Sequence, residues 1–405
     1  MSTAHWSHRL SLIGIVLAAL SGAVDAVDRS SYVAGNYDYI EPTITAEKAR
    51  ELAASEPILT LSRVKTVSQE VAENLVSNER GFMLSLPAVE ELDIATAREL
   101  SRFKGRLRLW GVPRITPDVA RVFAENMAGE DLDLSGLSDC SIEVAEILAT
   151  TKTPALWLGL REIDVPLARA LVPLRGHLIF PDLETLSPEA AAELAKHKGP
   201  LNLGRAKLSK EAATALLAHN MWLSLPYVKR LEPGVGDILA QRPNWVTLSL
   251  EEIDSIALAR KLLREPNASG ATEHLRTISP EIARELVQSG FRGGLGHLER
   301  LSPDAARELA KHDSDIIIRG SLRLTADSAR ALTNRQPRVV GAAVHLDGVE
   351  FLEGPDAVAI AEALASTPGE VSLKNLKRIS APALAALKKK PAIKLPPAEK
   401  LTVVP

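Results

Sequence analysis

The chain has a single cysteine, Cys140, in 405 residues, so no internal disulfide framework is available to it. Aromatic residues make up only 4%, and three of the four tyrosines, Tyr32, Tyr37 and Tyr39, precede the first regular segment. Neither sign of charge dominates. Against 51 Asp and Glu stand 48 Lys and Arg, for a net −3, which excludes the basic footprint of a nucleic-acid or anionic-membrane binder. GxSxG, HExxH and paired-cysteine motifs are absent. The glycine-rich stretch GFRGGLGHL from Gly290 follows a helical pattern and leads toward a strand, the reverse of the order a phosphate loop needs. His177, His297 and His345 are scattered on or beside strands. His197, His219 and His312 fall at equivalent helix ends, where the pattern predicts surface positions that complement the helix dipole. They lack carboxylate or Cys partners at metal-ligand spacing. The prediction is therefore no catalytic residue, no cofactor and no metal: a protein that is not an enzyme.

What the chain does have is repetition. In Leu183 to Leu203, LETLSPEAAAELAKHKGPLNL, Ser187 is a helix N-cap whose hydroxyl can accept from a free first-turn N–H. Pro188 fits the first helical position. Glu189 suits the positive end of the dipole, and Lys196 to Lys198 suit the negative end. Gly199 suits the closing turn. Upstream, Leu178, Phe180 and Leu183 mark a short strand and a turn. One repeat is strand, turn, helix. The cap position recurs at Thr45, Ser68, Asp93, Thr116, Ser141, Asp164, Ser187, Ser209, Glu232, Asp254, Ser279, Ser302, Thr325, Gly354 and Ser380. Most intervals are 22 to 25 residues, with 29 and 26 for the last two, and such a fixed period marks a solenoid. An Ala column four residues after the cap and a Leu column seven after it lie on one helix face. Strands read Leu-x-Leu, as at Leu107/Leu109 and Leu132/Leu134, burying one face and exposing the other. Cys140 falls in the apolar column before its cap and is predicted to be a buried small hydrophobe rather than a reactive thiol.

These LxL strands followed by helices resemble the leucine-rich-repeat family, in a helix-containing form of about 23 residues similar to repeats of planctomycete exported proteins. The resemblance covers roughly residues 44 to 395. The family pattern places Asn in the turn, where this chain has Val64, Val89, Val112, Leu137, Leu160 and Leu183. The turn must therefore satisfy its backbone groups another way. The resemblance implies a binding or scaffolding role without naming a ligand.

Residues 1–26 read as a secretory signal. His5, His8 and Arg9 precede an apolar run from Leu10 to Val24, and Val24 and Ala26 fit a small-residue cleavage site. Residues 27–43 are expected to cap the open end of the first repeat, and 396–405 to form a C-terminal cap or tail. The pattern weakens at PNASGATEHL, which contains the Asn267-Ala268-Ser269 sequon and suggests a loop before a poor strand. It weakens again at the insertion between Thr325 and Gly354. The fold class is thus α/β: a right-handed solenoid of about 15 repeats, with one parallel sheet and an outer layer of helices.

The reading for function is a non-enzymatic exported recognition or scaffold protein, located in the periplasm, at the cell surface or outside the cell. Its partner would be a protein or cell-envelope ligand, with no nucleic acid and no membrane span once the signal is removed. Two alternatives are a structural surface component and an envelope enzyme with an unrecognised site. A solenoid's exposed sheet face is its usual binding surface. Residues between the buried leucines face outward: Thr60, Ser85, Arg108, Asp133, Trp157, Ile179, Asn202, Ser224 and Thr247. Arg63, Trp110, Arg205 and Tyr227 follow in the turns. Trp, Tyr and Arg dominate binding energies, so the candidate partner-binding residues are Arg108, Trp110, Asp133, Trp157 and Tyr227. The competing reading is structural: Arg108 and Asp133 pair across adjacent strands, and Trp157 packs beside Ile179.

Overall fold

A computed structural model describes residues 37–77, 81–127, 131–265, 268–292, 294–335 and 342–405. The predicted signal at 1–26, residues 27–36 of the predicted cap (with Tyr32), Asn267 of the sequon and residues 336–341 of the insertion lie outside the described residues. The chain forms two compact bodies. One holds the described residues from Tyr37 to Val228 with Gln241–Val246, and the other holds the described residues of Lys229–Ala240 and Thr247–Pro405.

The N-terminal body is built from parallel strands in strict chain order. They are β1 (Tyr37–Asp38), β2 (Ile58–Thr60), β3 (Met83–Ser85), β4 (Arg106–Arg108), β5 (Asp131–Leu134), β6 (Ala155–Leu158), β7 (His177–Ile179), β8 (Leu201–Asn202) and β9 (Leu223–Leu225). Val246 opens the tenth strand, β10 (Val246–Leu248). Register is constant: Leu107 faces Leu132, Leu132 faces Leu156, and Leu178 faces Leu201. All of these leucines are fully buried, as are Leu109, Leu134, Leu158 and Leu203. Each strand feeds a turn and then a helix of two to three turns. The hydroxyls or carboxylates of Thr45, Ser68, Asp93, Thr116, Ser141, Asp164, Ser187 and Ser209 each accept from the N–H three residues on. The Ala and Leu columns (Ala97/Leu100, Ala145/Leu148, Ala191/Leu194) have essentially no exposure and form the seam between neighbouring helices and the sheet.

The turns answer the question left by the missing Asn. The apolar residue in that position is buried, and its own N–H closes a four-residue turn onto the second strand leucine. Leu137 donates to Leu134 O at 2.9 Å, Ala206 to Leu203 O at 2.9 Å, and Val112 to Leu109 O at 3.4 Å. Side-chain amides are therefore not needed to satisfy this backbone. The turns of successive repeats also lie nearly in contact. A Cβ on Gly136 would sit 2.1 Å from Trp110 O, and one on Gly159 would sit 1.9 Å from Ser135 O, so only glycine fits there.

The C-terminal body has a five-stranded parallel sheet in place of a continuation of one long ladder. Its order is β11 (Gly294–Leu295), β12 (Ile316–Ile318), β13 (Val344–His345), β15 (Val371–Ser372) and β17 (Ile393–Lys394). A separate three-stranded parallel sheet joins β14 (Phe351–Leu352), β16 (Arg378–Ser380) and β18 (Thr402–Val404). The tail thus contributes a paired strand. Four caps differ from expectation. Ser380 stands before its helix without a side-chain cap hydrogen bond. Ser255, not Asp254, accepts from Leu258 N, with Asp237 taking the Ser255 hydroxyl at 2.5 Å. The helix foreseen at Glu232 begins at Val235 after Gly234 at φ 86°. The helix foreseen at Gly354 begins at Ala357, behind Asp356 and after Gly354 at φ 91°. In each glycine case the left-handed residue turns the chain before the helix can start. Where a poor strand was expected near PNASGATEHL there is a short helix, Ala268–Glu273. Among the described residues, no helix is long and apolar enough to cross a membrane.

The largest departure from the sequence reading is at the helix ends. His197, His219 and His312 are buried, at 2%, 0% and 6% exposure, not surface complements of the dipole. Ten residues after the cap, the chain has left the helix and turns inward toward the next strand. Four of the side chains there, His197, Arg242, Arg335 and Lys390, meet carbonyls of the preceding repeat's loop. His197 places Nδ1 3.3 Å from Val172 O and Nε2 3.1 Å from Gly176 O. Arg242, the equivalent residue two repeats later, is also buried and donates to the carbonyls of Leu216, His219 and Met221. In the C-terminal body, Arg335 donates to His312 O and Ser314 O, and Lys390 donates to Thr367 O and Gly369 O.

Candidate functional site

The sheet face of the N-terminal body turns two rows of side chains away from the core, one on each side of the first buried leucine of every strand. In the row between the leucines, the predicted order is present but the predicted openness is not. Ser85, Arg108, Asp133, Ile179 and Ser224 have 1% to 6% exposure, while Thr60, Trp157 and Asn202 are half-buried. Parallel strands about 4.8 Å apart bring each side chain against its neighbours.

Four of the five candidate residues are brought together. Arg108 is in register with Asp133, and Asp133 with Trp157. Asp133 is the hub. It accepts from the Trp110 indole N–H at 2.6 Å and from Ser135 N at 3.0 Å, and also from the Ser135 hydroxyl. Its Oδ2 lies 3.8 Å from Arg108 Nε, with side-chain exposures of 7% and 5%. The Arg108 guanidinium sits 5.1 Å from the centre of the Trp110 ring, which adds a cation–π contact. Trp157 stands next in the row, in register with Ile179, and its indole N–H has no hydrogen-bond partner among the described residues. Tyr227 is apart from these four. It lies on the turn after β9, where the exposed Arg205 stacks 6.0 Å from its ring and pairs with Asp182 at 3.2 Å. Arg63 is exposed on an earlier turn.

The second row begins each strand and was not singled out from the sequence. Arg106 and Asp131 pair at 2.7 Å. Burial pushes the Asp131 carboxyl above the usual carboxylate range, against the pull of Arg106. Farther along, His177 lies 5.5 Å from the Trp222 ring. Burial, reinforced by His197, pushes the His177 imidazole down to about 4. Met221 and Trp245 are 40% and 54% exposed. The face is thus charged and internally paired over β4 and β5, and aromatic from β6 onward. The residue just before the first strand leucine could have revealed this row: it reads Arg106, Asp131, Ala155, His177, Pro200, Trp222, Trp245.

Cys140 is half-buried, and burial, with Asp139 nearby, pushes its thiol up to about 12, so it is not a thiolate nucleophile at neutral pH. Among the described residues, no three His, Cys, Asp or Glu side chains converge as metal ligands do.

No family model matches the chain, and no curated protein does. Solved structures do match. One is a leucine-rich-repeat protein of Leptospira interrogans, at 14% identity and a TM-score of 0.36, covering 90% of this chain and 99% of that one. A second is an internalin of Listeria monocytogenes, at 14% identity and TM-score 0.31, covering 85% and 92%. Another is Toll, from its complex with Spätzle in Drosophila, at 11% identity and TM-score 0.32, covering 86% and 52%. At these identities and scores the likeness bears on neither ligand nor partner.

Proposed function

We propose that this chain is a non-enzymatic recognition or scaffold protein, exported from the cytoplasm, that holds a protein or cell-envelope partner against the sheet face of its N-terminal body. The observation that carries the reading is the pre-set surface around Asp133. Arg108 and Asp133, both buried and mutually paired, fix the ring of Trp110 by a 2.6 Å hydrogen bond and a cation–π contact. Trp157 extends the same row. Half-buried aromatics held in place before binding bind at low entropic cost, and Trp is among the residues that dominate interfaces. Tyr227 with Arg205 is the second anchor, on the same face of later repeats. Export is supported by the leader-like opening of the sequence and by the repeat's resemblance to exported planctomycete repeats.

In this scheme Arg108 and Asp133 shape the site from below, and Trp110, Trp157 and Tyr227 touch the partner. The test is capture of an envelope partner with the chain lacking residues 1–26, followed by titration of that partner against a Trp110→Ala/Trp157→Ala double variant. A loss of tenfold or more in affinity, with unchanged circular dichroism, is expected. Undiminished affinity in the folded variant removes this face from consideration.

A further inference from the structure

The mechanical joints of the N-terminal body lie on the side where helices hand over to strands. Three histidines meet there. His197, from the repeat capped by Ser187, is buried with its two ring nitrogens toward Val172 O and Gly176 O. His219, from the next repeat, stacks on it with ring centres 6.4 Å apart and planes 9° from parallel, and is fully buried. His177 begins β7 on the same side, packed on Trp222, with its Nε2 buried and unpartnered among the described residues. The charges that act on these rings are cations or groups that become cations. His197 acts on His177. Arg242 and His197 act on His219. The remaining neighbours are backbone carbonyls of Val172, Gly176 and Pro200 around His197, and of Trp222 and His197 around His219.

We propose that His177, His197 and His219 form an acid-sensitive joint. With the rings neutral, the helix-to-strand loops of three consecutive repeats stay closed. Protonating the stack opens those loops while the strands nearer the N-terminus remain paired. The physical reason is that a second and third positive charge would enter a dry stack that already abuts Arg242, with no carboxylate among the described residues acting on it. The carbonyls around His197 can accept one extra proton's worth of hydrogen bonding, but burial outweighs them and its pKa is lowered. Burial first, then the neighbouring cations, pushes His177 and His219 down to about 4.

The direction follows from linkage. An unfolded loop histidine titrates near 6.5, so between 6.5 and 4 the open form binds more protons than the closed one. Closure is fully present above about pH 6.5 and is lost as pH falls through about 4. At pH 5, a ring shifted from about 6.5 to about 4 favours opening by about thirtyfold relative to neutral pH, and two such rings by several hundredfold.

Hydrogen exchange of the full chain at pH 7.5 and pH 5.0, corrected for intrinsic rates, tests this. The reporting amides are Leu201 and Leu223, which donate to Trp222 O and Trp245 O across the joint. The controls are Leu86 and Leu109, which donate to Arg108 O and Asp133 O in earlier repeats. Expected at pH 5.0 is a protection loss of at least thirtyfold at the reporters and less than threefold at the controls. A His177→Phe/His219→Phe variant, which keeps ring volume and removes the titration, is expected to abolish the difference. Should that variant not fold, a carbon-detected ring titration of the unaltered chain decides instead. Equal loss at reporters and controls, no loss at either, or histidine rings that titrate near 6.5 in the closed form would overturn the proposal.

Discussion

Replacing Asp133 by alanine is the most direct perturbation of the sheet face. The carboxylate has 5% side-chain exposure and stands against a guanidinium of 7%. Removing it leaves Arg108 buried without this counterion, and leaves the Trp110 indole N–H and Ser135 N without their acceptor. Removing one partner of a buried pair costs about 3–5 kcal/mol. With a urea slope of about 2–3 kcal/mol per molar, the transition followed by tryptophan fluorescence should move down by about 1 to 2.5 M. The double variant Arg108→Met/Asp133→Ala removes the buried cation together with its counterion and should recover at least half of the loss. That pattern, a large single effect and a smaller double one, is the signature of a desolvated pair rather than of shape. A single-variant loss below about 1 kcal/mol would put Arg108 and Asp133 in the class of exposed pairs, such as Arg121–Glu143 on the helical side, and the idea of a pre-set Trp110 would go with it.

Two further outcomes are expected. Gly136→Ala should destabilise by about 2–4 kcal/mol by forcing adjacent turns apart, since its Cβ would lie 2.1 Å from Trp110 O; Gly290→Ala, with open space around it but φ at 67°, should lose only about 1 kcal/mol, and thermal melts of the pair separate steric from conformational cost. Arg242→Met should leave the carbonyls of Leu216, His219 and Met221 short of a donor, weakening that loop by about 2–4 kcal/mol, and limited proteolysis should then cut first between Ala218 and Trp222.

The seam of the fold was legible because caps and columns are local chemistry. Ser187, Ala191 and Leu194 announce their roles within one helical turn, and the structure places them there. The cap at Ser255 was displaced from Asp254 because two adjacent residues can both cap, and Asp237, from the preceding repeat, settles the choice. The polar residues ten past the cap were visible as a column: His197, His219, Arg242, His312, Arg335, Lys390. Their burial was not visible, because charged and polar residues at a helix end look the same whether they meet water or the carbonyls of the previous repeat. The same holds for the candidate site. The sequence places Arg108, Asp133 and Trp157 in one row, but how far they cover one another depends on the spacing between strands, which no single repeat contains.

The constant register has a consequence for how the N-terminal body comes to be formed. Tyr37 pairs with Leu59, 22 residues on; Ile58 with Met83, 25 on; Leu178 with Leu201, 23 on. No strand pairing in this row asks the chain to close a loop longer than about one repeat, so the entropy of each closure is small and nearly identical at every step. The contact order is low despite an all-parallel sheet, an arrangement that ordinarily folds slowly. Folding can start at whichever repeat first docks on a neighbour and spread in both directions. A chain emerging from the ribosome, or from a secretion channel, can therefore add finished repeats to an existing end without waiting for distant sequence to arrive.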